Sequence, residues 1–240
     1  MTRVEPASWH RAVAVVPAGG MGSRMQSRRP KQYLGLGGIP LLIHTLRALL
    51  SSKSIEGLVL AVPADRVAAT RVLLQRHRVP RVLEILAGGS ERQESVWRAL
   101  QVVPGDAHWI VVHDAVRPFI NGDLVDRVLA AARRYGAATC GLPVRETVKR
   151  VIRGRVESTL DRDGLWLIQT PQAFSRQRLW EAHDTARRDG FLGTDDAVLI
   201  ERLGGQVVPV PGLPQNLKLT TPEDLKAARL WLSRAARARS

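Results

Sequence analysis

The chain has 240 residues, 45% of them hydrophobic, which is enough to bury the core of one large domain and excludes a disulfide-stapled miniprotein or a disordered tail. Its 36 Lys and Arg against 22 Asp and Glu give a formal charge of +14, a balance that asks for an anionic partner: phosphorylated small molecules, nucleic acid or a membrane surface. The single cysteine, Cys140, excludes an internal disulfide and half of a CxxC pair, so a reducing cytoplasm is the expected compartment. No apolar run approaches the ~18 residues that span a bilayer, and Glu5 and Pro6 stand where a signal peptide needs an unbroken apolar stretch.

In chain order, the pattern predicts a strand over 12–16, a glycine-rich stretch, and a helix over 40–51 with Pro40 at its first position. A strand over 58–62, a helix over 64–78 and a strand over 82–86 follow. Next come a helix over 91–101, with Ser90 and Gln93 as its capping box, a strand over 109–113 and a helix over 123–135. This alternation predicts an α/β fold with a doubly wound, mostly parallel sheet covered on both faces. The runs VAVVP, GLVLAV and WIVVH are apolar at nearly every position, as strands buried on both faces should be. From 143 to 162 the pattern changes to two charge-alternating strands around Arg153-Gly154-Arg155, a β-hairpin arm expected to be polar on both sides. Such an arm either stands in solvent or packs on another subunit, and the second is favoured because exposed strand edges tend to be covered. Thr221-Pro222-Glu223 starts a last helix, and the tail 235–240 is expected to fray. With no repeat and no linker, the expectation is a single domain over 1–240, with residues 143–163 as an arm within it.

Ligands of an open α/β sheet bind beyond the carboxyl ends of its strands. After the first strand, Gly19, Gly20 and Gly22 let consecutive N–H groups point at a phosphate chain, and Arg24 and Lys31 set two cations beside them. That arrangement suits a triphosphate losing pyrophosphate. The spacing is neither GxGxxG nor GxxxxGK[ST], and a tight strand-to-helix turn explains the glycines too; the cations weigh toward phosphate. Gly88 and Gly89 would let the chain lie flat against a ring, with Ser95 in reach of a base edge, although an ordinary turn accounts for them as well. Asp114, after WIVVH, stands where a metal or hydroxyl contact is needed, or else stabilises a turn ahead of Pro118. His113 reads as a structural histidine. Lys218, placed near the end of a late strand over 216–220, could face the same pocket or simply be solvated.

The segments PAGGMGSRM, PKQY, GGSERQESV, VHDAVRP, PVRETVKR, DRDGLW, QTPQAF, GTDDA and NLKLT together resemble the 2-C-methyl-D-erythritol 4-phosphate cytidylyltransferases of the non-mevalonate isoprenoid pathway, over about 13–225 and in the family's order. The resemblance implies a nucleotidyltransferase-type, Rossmann-like fold and a homodimer with interlocked arms. It also implies CTP, Mg²⁺ or another divalent cation, and the products 4-diphosphocytidyl-2-C-methyl-D-erythritol and pyrophosphate. It places Arg24 and Lys31 as phosphate stabilisers, and Lys218 with them among the catalytic positions. Ala18, Gly19, Gly20, Gly22, Gly89, Ser95, Asp114 and Ala115 fall on the nucleotide side, with Asp114 between nucleotide and sugar phosphate. Arg117, Thr147, Arg162, Thr170 and Thr194 fall on the substrate side, with Thr147 and Arg162 on the arm that reaches the neighbouring subunit's pocket. Direct metal ligands are not assigned. Ser90 departs from relatives that have aspartate there, and Gly19 from the many that have alanine.

The implied reaction is in-line attack of a phosphomonoester oxygen on the α-phosphorus of CTP. That nucleophile is an anion at neutral pH, so no general base is required. A ribitol 5-phosphate cytidylyltransferase shares the nucleotide loops and is the alternative. A basic nucleic-acid-binding protein is the rival from another class, disfavoured because the arginines are spread along the chain, aromatics are 5% and no RNP, KH or helix-turn-helix signature is present.

Overall fold

The computed structural model describes residues 11–20 and 30–237. Eleven strands and seven α-helices alternate along it. The first half contains β1 (Ala12–Pro17), β2 (Gly35–Leu36), β3 (Ile39–Pro40), α1 (Leu41–Leu50), β4 (Ile55–Val62), α2 (Val67–Arg76), β5 (Val82–Ala87), α3 (Arg92–Leu100), β6 (Trp109–Val112) and α4 (Gly122–Tyr135). The second half contains β7 (Ala137–Pro143), β8 (Val148–Ile152), β9 (Arg155–Leu160), β10 (Trp166–Ser175), α5 (Arg176–Arg188), α6 (Ala197–Arg202), β11 (Val208–Pro211) and α7 (Pro222–Arg237).

Seven strands form one sheet in the order β11-β7-β10-β6-β1-β4-β5. All neighbours are parallel except β10, which runs antiparallel to both β6 and β7. From β1 the chain moves outward through β4 and β5, then returns to place β6 on the other side of β1. Strand order therefore reverses between β1 and β6, and their carboxyl ends open the crevice where α/β sheets bind ligands.

β1 shows why its run is apolar throughout: Ala12, Ala14 and Val16 face a core shared with α1, α2 and α4, whereas Val13 and Val15 face one shared with α3, α5 and α6. All five side chains are fully buried. A third, smaller cluster of Leu36, Leu41, Val116, Leu219 and Ala228 seats α7 against the loops that follow β6 and β11.

Several local expectations change. Pro40 is the N-cap of α1 and not its first helical residue. The helix expected over 64–78 splits into a 3₁₀ turn at Ala64–Arg66 and α2. α3 starts at Arg92, so the partner of Ser90 is Glu94, whose carboxylate accepts from the Ser90 N–H at 2.8 Å; Gln93 points elsewhere. Residues 216–220 form no strand, and one backbone bond, Leu219 N–H to Val116 C=O at 3.0 Å, ties them to the loop after β6.

The arm is present as an isolated two-stranded sheet of β8 and β9, turning through Arg153 and Gly154 at φ +49° and +76°. It is not polar on both sides. Val151, Ile152, Val156 and Leu160 are exposed along it, and Leu165, Leu167 and Ile168 are exposed at its base. Among the described residues no helix is long and apolar enough to cross a membrane.

Candidate active site

At the switch point, loops after β1, β5 and β6 meet the segment before α7 around a cavity of about 130 Å³. Its lining includes Ala18, Gly19, Gly20, Lys31, Gly89, Ser95, Asp114, Ala115 and Lys218. A second cavity of about 210 Å³ adjoins it, lined by Arg117, Thr170 and Thr194 and sharing Arg92, Asp114 and Lys218 with the first. A larger cavity of about 680 Å³ lies at the opposite end of the sheet, beside Trp109 and Trp180, and contains none of the sequence-predicted residues.

The walls of the first cavity are fixed by hydrogen bonds inside the chain. The Ala18 N–H donates to Ala61 C=O at 2.7 Å, and the buried Gln32 amide donates to Ala18 C=O. Ser95 is buried, and its hydroxyl accepts from Gly89 N–H at 3.1 Å while donating to Glu91 C=O at 3.1 Å. That hydroxyl holds the glycine loop and also lines the cavity. Close approach explains Gly88, where a Cβ would stand 2.8 Å from the buried Ser95 Oγ; at Gly89 a Cβ would meet only the movable Glu94 carboxyl group. The hydroxyl of Thr45 donates to Ala115 C=O at 2.9 Å.

Between the cavities lies Asp114, 6% exposed. Its Oδ1 is 3.1 Å from Arg92 Nε, and its Oδ2 is 3.3 Å from Arg117 Nε and 3.0 Å from Lys218 Nζ. Burial alone would raise its pKa, but Arg92, Lys218 and Arg117 outweigh that and hold the carboxyl far below its ordinary range. Arg92 also meets the buried Asp196 through Nη1 at 2.7 Å. Burial opposes the Arg92 charge, yet Asp196 and Asp114 raise its pKa above the usual value. Arg92 thus bridges Asp114 and Asp196, Arg117 and Lys218 share the Asp114 carboxylate with it, and Asp195 also lines the second cavity.

His113 beside it is fully buried, and burial pushes its pKa down to about 4. Its Nε2 lies 3.1 Å from Arg117 C=O, which can only accept, so the proton is on Nε2 and Nδ1 accepts the Thr170 hydroxyl at 3.0 Å. The Thr170 oxygen in turn accepts from Asp114 N–H at 3.1 Å. Every polar atom of the imidazole is satisfied, as a structural histidine requires.

Residues 12–234 match the family of 2-C-methyl-D-erythritol 4-phosphate cytidylyltransferases. The chain belongs to this family. Similar proteins of that name include one from Syntrophus aciditrophicus, 44% identical over 226 residues (93% of this chain and 97% of the relative), and one from Bacillus mycoides, 42% identical over 218 residues (91% and 96%). The crystal structure of the cytidylyltransferase of that name from Thermus thermophilus superposes with a TM-score of 0.76 at 33% identity, covering 93% of this chain and 99% of that one.

The fold thus gathers most of the positions that the family resemblance pointed to. Arg24 and Gly22 lie outside the described residues. Thr147 and Arg162 are exposed on the arm and line neither cavity of their own chain; the Arg162 guanidinium donates to Arg145 C=O. Lys218 reaches Asp114 from a loop held by Leu219, not from a strand. Among the described residues nothing stands within 4 Å of a Cβ built on Gly20.

The reading of the residues missed Arg92. Its signal was available: an arginine in the first turn of a helix opposes the helix dipole and needs carboxylates to hold it, here Asp114 and Asp196. Nor do the described residues build a cage for a divalent cation. No group of three His, Cys, Asp or Glu side chains converges among them, and the carboxylate between the cavities is saturated by three cations.

Proposed function

We propose that this chain is the cytidylyltransferase that joins CTP and 2-C-methyl-D-erythritol 4-phosphate, giving 4-diphosphocytidyl-2-C-methyl-D-erythritol and pyrophosphate in isoprenoid precursor synthesis in the cytoplasm. The observation that carries this reading is the Asp114 knot. A carboxylate that anchors Arg117 and Lys218 between two adjoining cavities is suited to hold a second phosphate beside a nucleotide.

CTP occupies the cavity of Ala18, Gly19, Gly89 and Ser95, its base against the glycine loop and its phosphates toward Lys31. The sugar phosphate takes the adjoining cavity, where Lys218, Arg117 and Thr194 meet its phosphate. A phosphate oxygen of the sugar phosphate forms a bond to the α-phosphorus, the bond from that phosphorus to the oxygen bridging to the β-phosphate breaks, and pyrophosphate leaves with the electron pair. The nucleophile arrives ionised, which fits a site whose histidine is buried, neutral and fully hydrogen-bonded. Catalysis is alignment plus charge neutralisation, by Lys31 at the departing phosphate together with Arg24. A divalent cation bound with CTP would add charge neutralisation at the triphosphate, beside Lys31 and Arg24.

The exposed Val151, Ile152, Val156 and Leu160 of the arm support a homodimer in which each arm covers its neighbour and brings Thr147 and Arg162 to the neighbour's acceptor cavity. Pyrophosphate release from each of the four nucleoside triphosphates, with methylerythritol phosphate present or absent and with ribitol 5-phosphate alongside, tests the assignment. Release only with CTP plus methylerythritol phosphate is expected. Faster turnover of ribitol phosphate would transfer the assignment to the alternative acceptor.

A further inference from the structure

The first turn of α3 faces two ways. On one side Ser95 and Glu94 hold the glycine loop at 88–90, through Gly89 N–H to Ser95 Oγ and Ser90 N–H to Glu94 Oε2. On the other side Gln93 grips the backbone that leads to Thr194: its Nε2 donates to Phe191 C=O at 3.0 Å and its Oε1 accepts from Gly193 N–H at 2.8 Å. A primary amide meeting one carbonyl and one N–H imitates a strand neighbour, a grip that needs both a donor and an acceptor at this reach.

Arg92, one residue earlier, adds the charged part. Its guanidinium spans Asp114 and Asp196, and Asp196 is held from behind by His183 Nε2 at 3.0 Å. Asp196 is 1% exposed and His183 fully buried. The His183 ring stacks on Trp97, itself in α3, with centroids 6.4 Å apart and planes 19° from parallel, so the linkage closes on the helix from which it starts. Two segments far apart in sequence, the glycine loop after β5 and the stretch 191–196, are therefore fixed to one rigid helical turn.

We propose that Gln93 and Arg92 are positioning residues of the reaction, which hold Thr194 and Asp114 in register with the nucleotide loop. The inference rests on the reading above that Thr194 and Asp114 face the acceptor. Neither residue needs to touch the reacting atoms. Each sets where an acceptor phosphate rests relative to the α-phosphorus, and small displacements at that distance are costly in rate.

Gln93 gives the cleaner test, because its side chain is only part-buried and carries no charge. Steady-state kinetics of Gln93→Ala, Gln93→Met and Gln93→Glu, each with a melting curve, separate positioning from folding. In Gln93→Ala and Gln93→Met, which lack both hydrogen bonds, kcat/KM for the acceptor is expected to fall about tenfold, with kcat itself lowered, and KM for CTP to change less than about twofold, with melting close to wild type. Gln93→Glu keeps the acceptor for Gly193 N–H, loses the donor to Phe191 C=O, and should fall between. Acceptor kcat/KM within about twofold of wild type in all three variants would overturn the proposal, as would a uniform loss that merely tracks the folded fraction. Should the wild-type enzyme turn over a different acceptor, the substrate assignment fails, and the same comparison made on that acceptor still decides the role of Gln93.

Discussion

At Asp114 one carboxylate meets three cations, and the cost of that arrangement explains its effect. In a buried ion cluster the mutual attraction offsets desolvation, and removing one member leaves charge in a poorly solvating interior. Lys218 is the member nearest solvent, its side chain 40% exposed, while Arg92 and Arg117 remain on Asp114 if it is lost. Lys218→Ala should therefore fold normally and raise the acceptor KM by roughly ten- to a hundredfold, the range for a lost charge-assisted hydrogen bond. A collapsed melting temperature with unchanged KM would place Lys218 in the scaffold instead. His113 gives a pH prediction. Its folded pKa of about 4 lies below the unfolded value of about 6.5, so the neutral ring contributes fully above pH ~6.5 and that stability is lost as acidification proceeds toward pH ~4. The contribution is of order 3 kcal/mol. Denaturant unfolding of wild type and His113→Gln across that window should show the steeper loss in the wild type; parallel curves would count against a neutral buried imidazole.

At the scale of elements, patterning was informative wherever a segment's burial was uniform. β1, β4 and β6 are apolar on both faces because helices cover both, and that signature is local to each run. α4 likewise carries its own boundaries: the Asn121 side chain accepts from Leu124 N–H at 2.9 Å, and Gly136 closes the helix at φ +93°. Asn121→Ala should cost about 1 kcal/mol and lower Tm by roughly 2–4 °C, measurable by calorimetry. The sequence was less clear where tertiary contacts decide. Ser90 has two acidic or amide candidates in reach, and only the start of α3 at Arg92 selects Glu94 and frees Gln93 for the 191–193 backbone. The NLKLT segment has a strand-like alternation, yet its backbone finds Val116 and not a sheet edge. In the arm, frequent charges masked the apolar cross-strand pairs Val151 with Val156 and Val148 with Leu160, visible only once β8 and β9 are paired. Of the site, the glycine loops and Asp114 stood out in the sequence because strand ends mark them. Arg92 did not, since its carboxylates come from positions 22 and 104 residues away.

For the molecule as a whole, the proposed crossing of the arms makes one demand: the active assembly should contain two chains. Arg162→Ala is expected to raise acceptor KM, and mixing it with Lys31→Ala chains should restore part of the activity, because one of the two sites then receives both intact groups. No gain on mixing would remove the crossing arm. The central claim concerns charge neutralisation beside the glycine loop, and single-turnover pyrophosphate release by Lys31→Ala tests it most directly. The account predicts a chemical step slowed ~10²-fold or more with a much smaller change in CTP affinity. An unaltered chemical step, with CTP binding alone weakened, would contradict it.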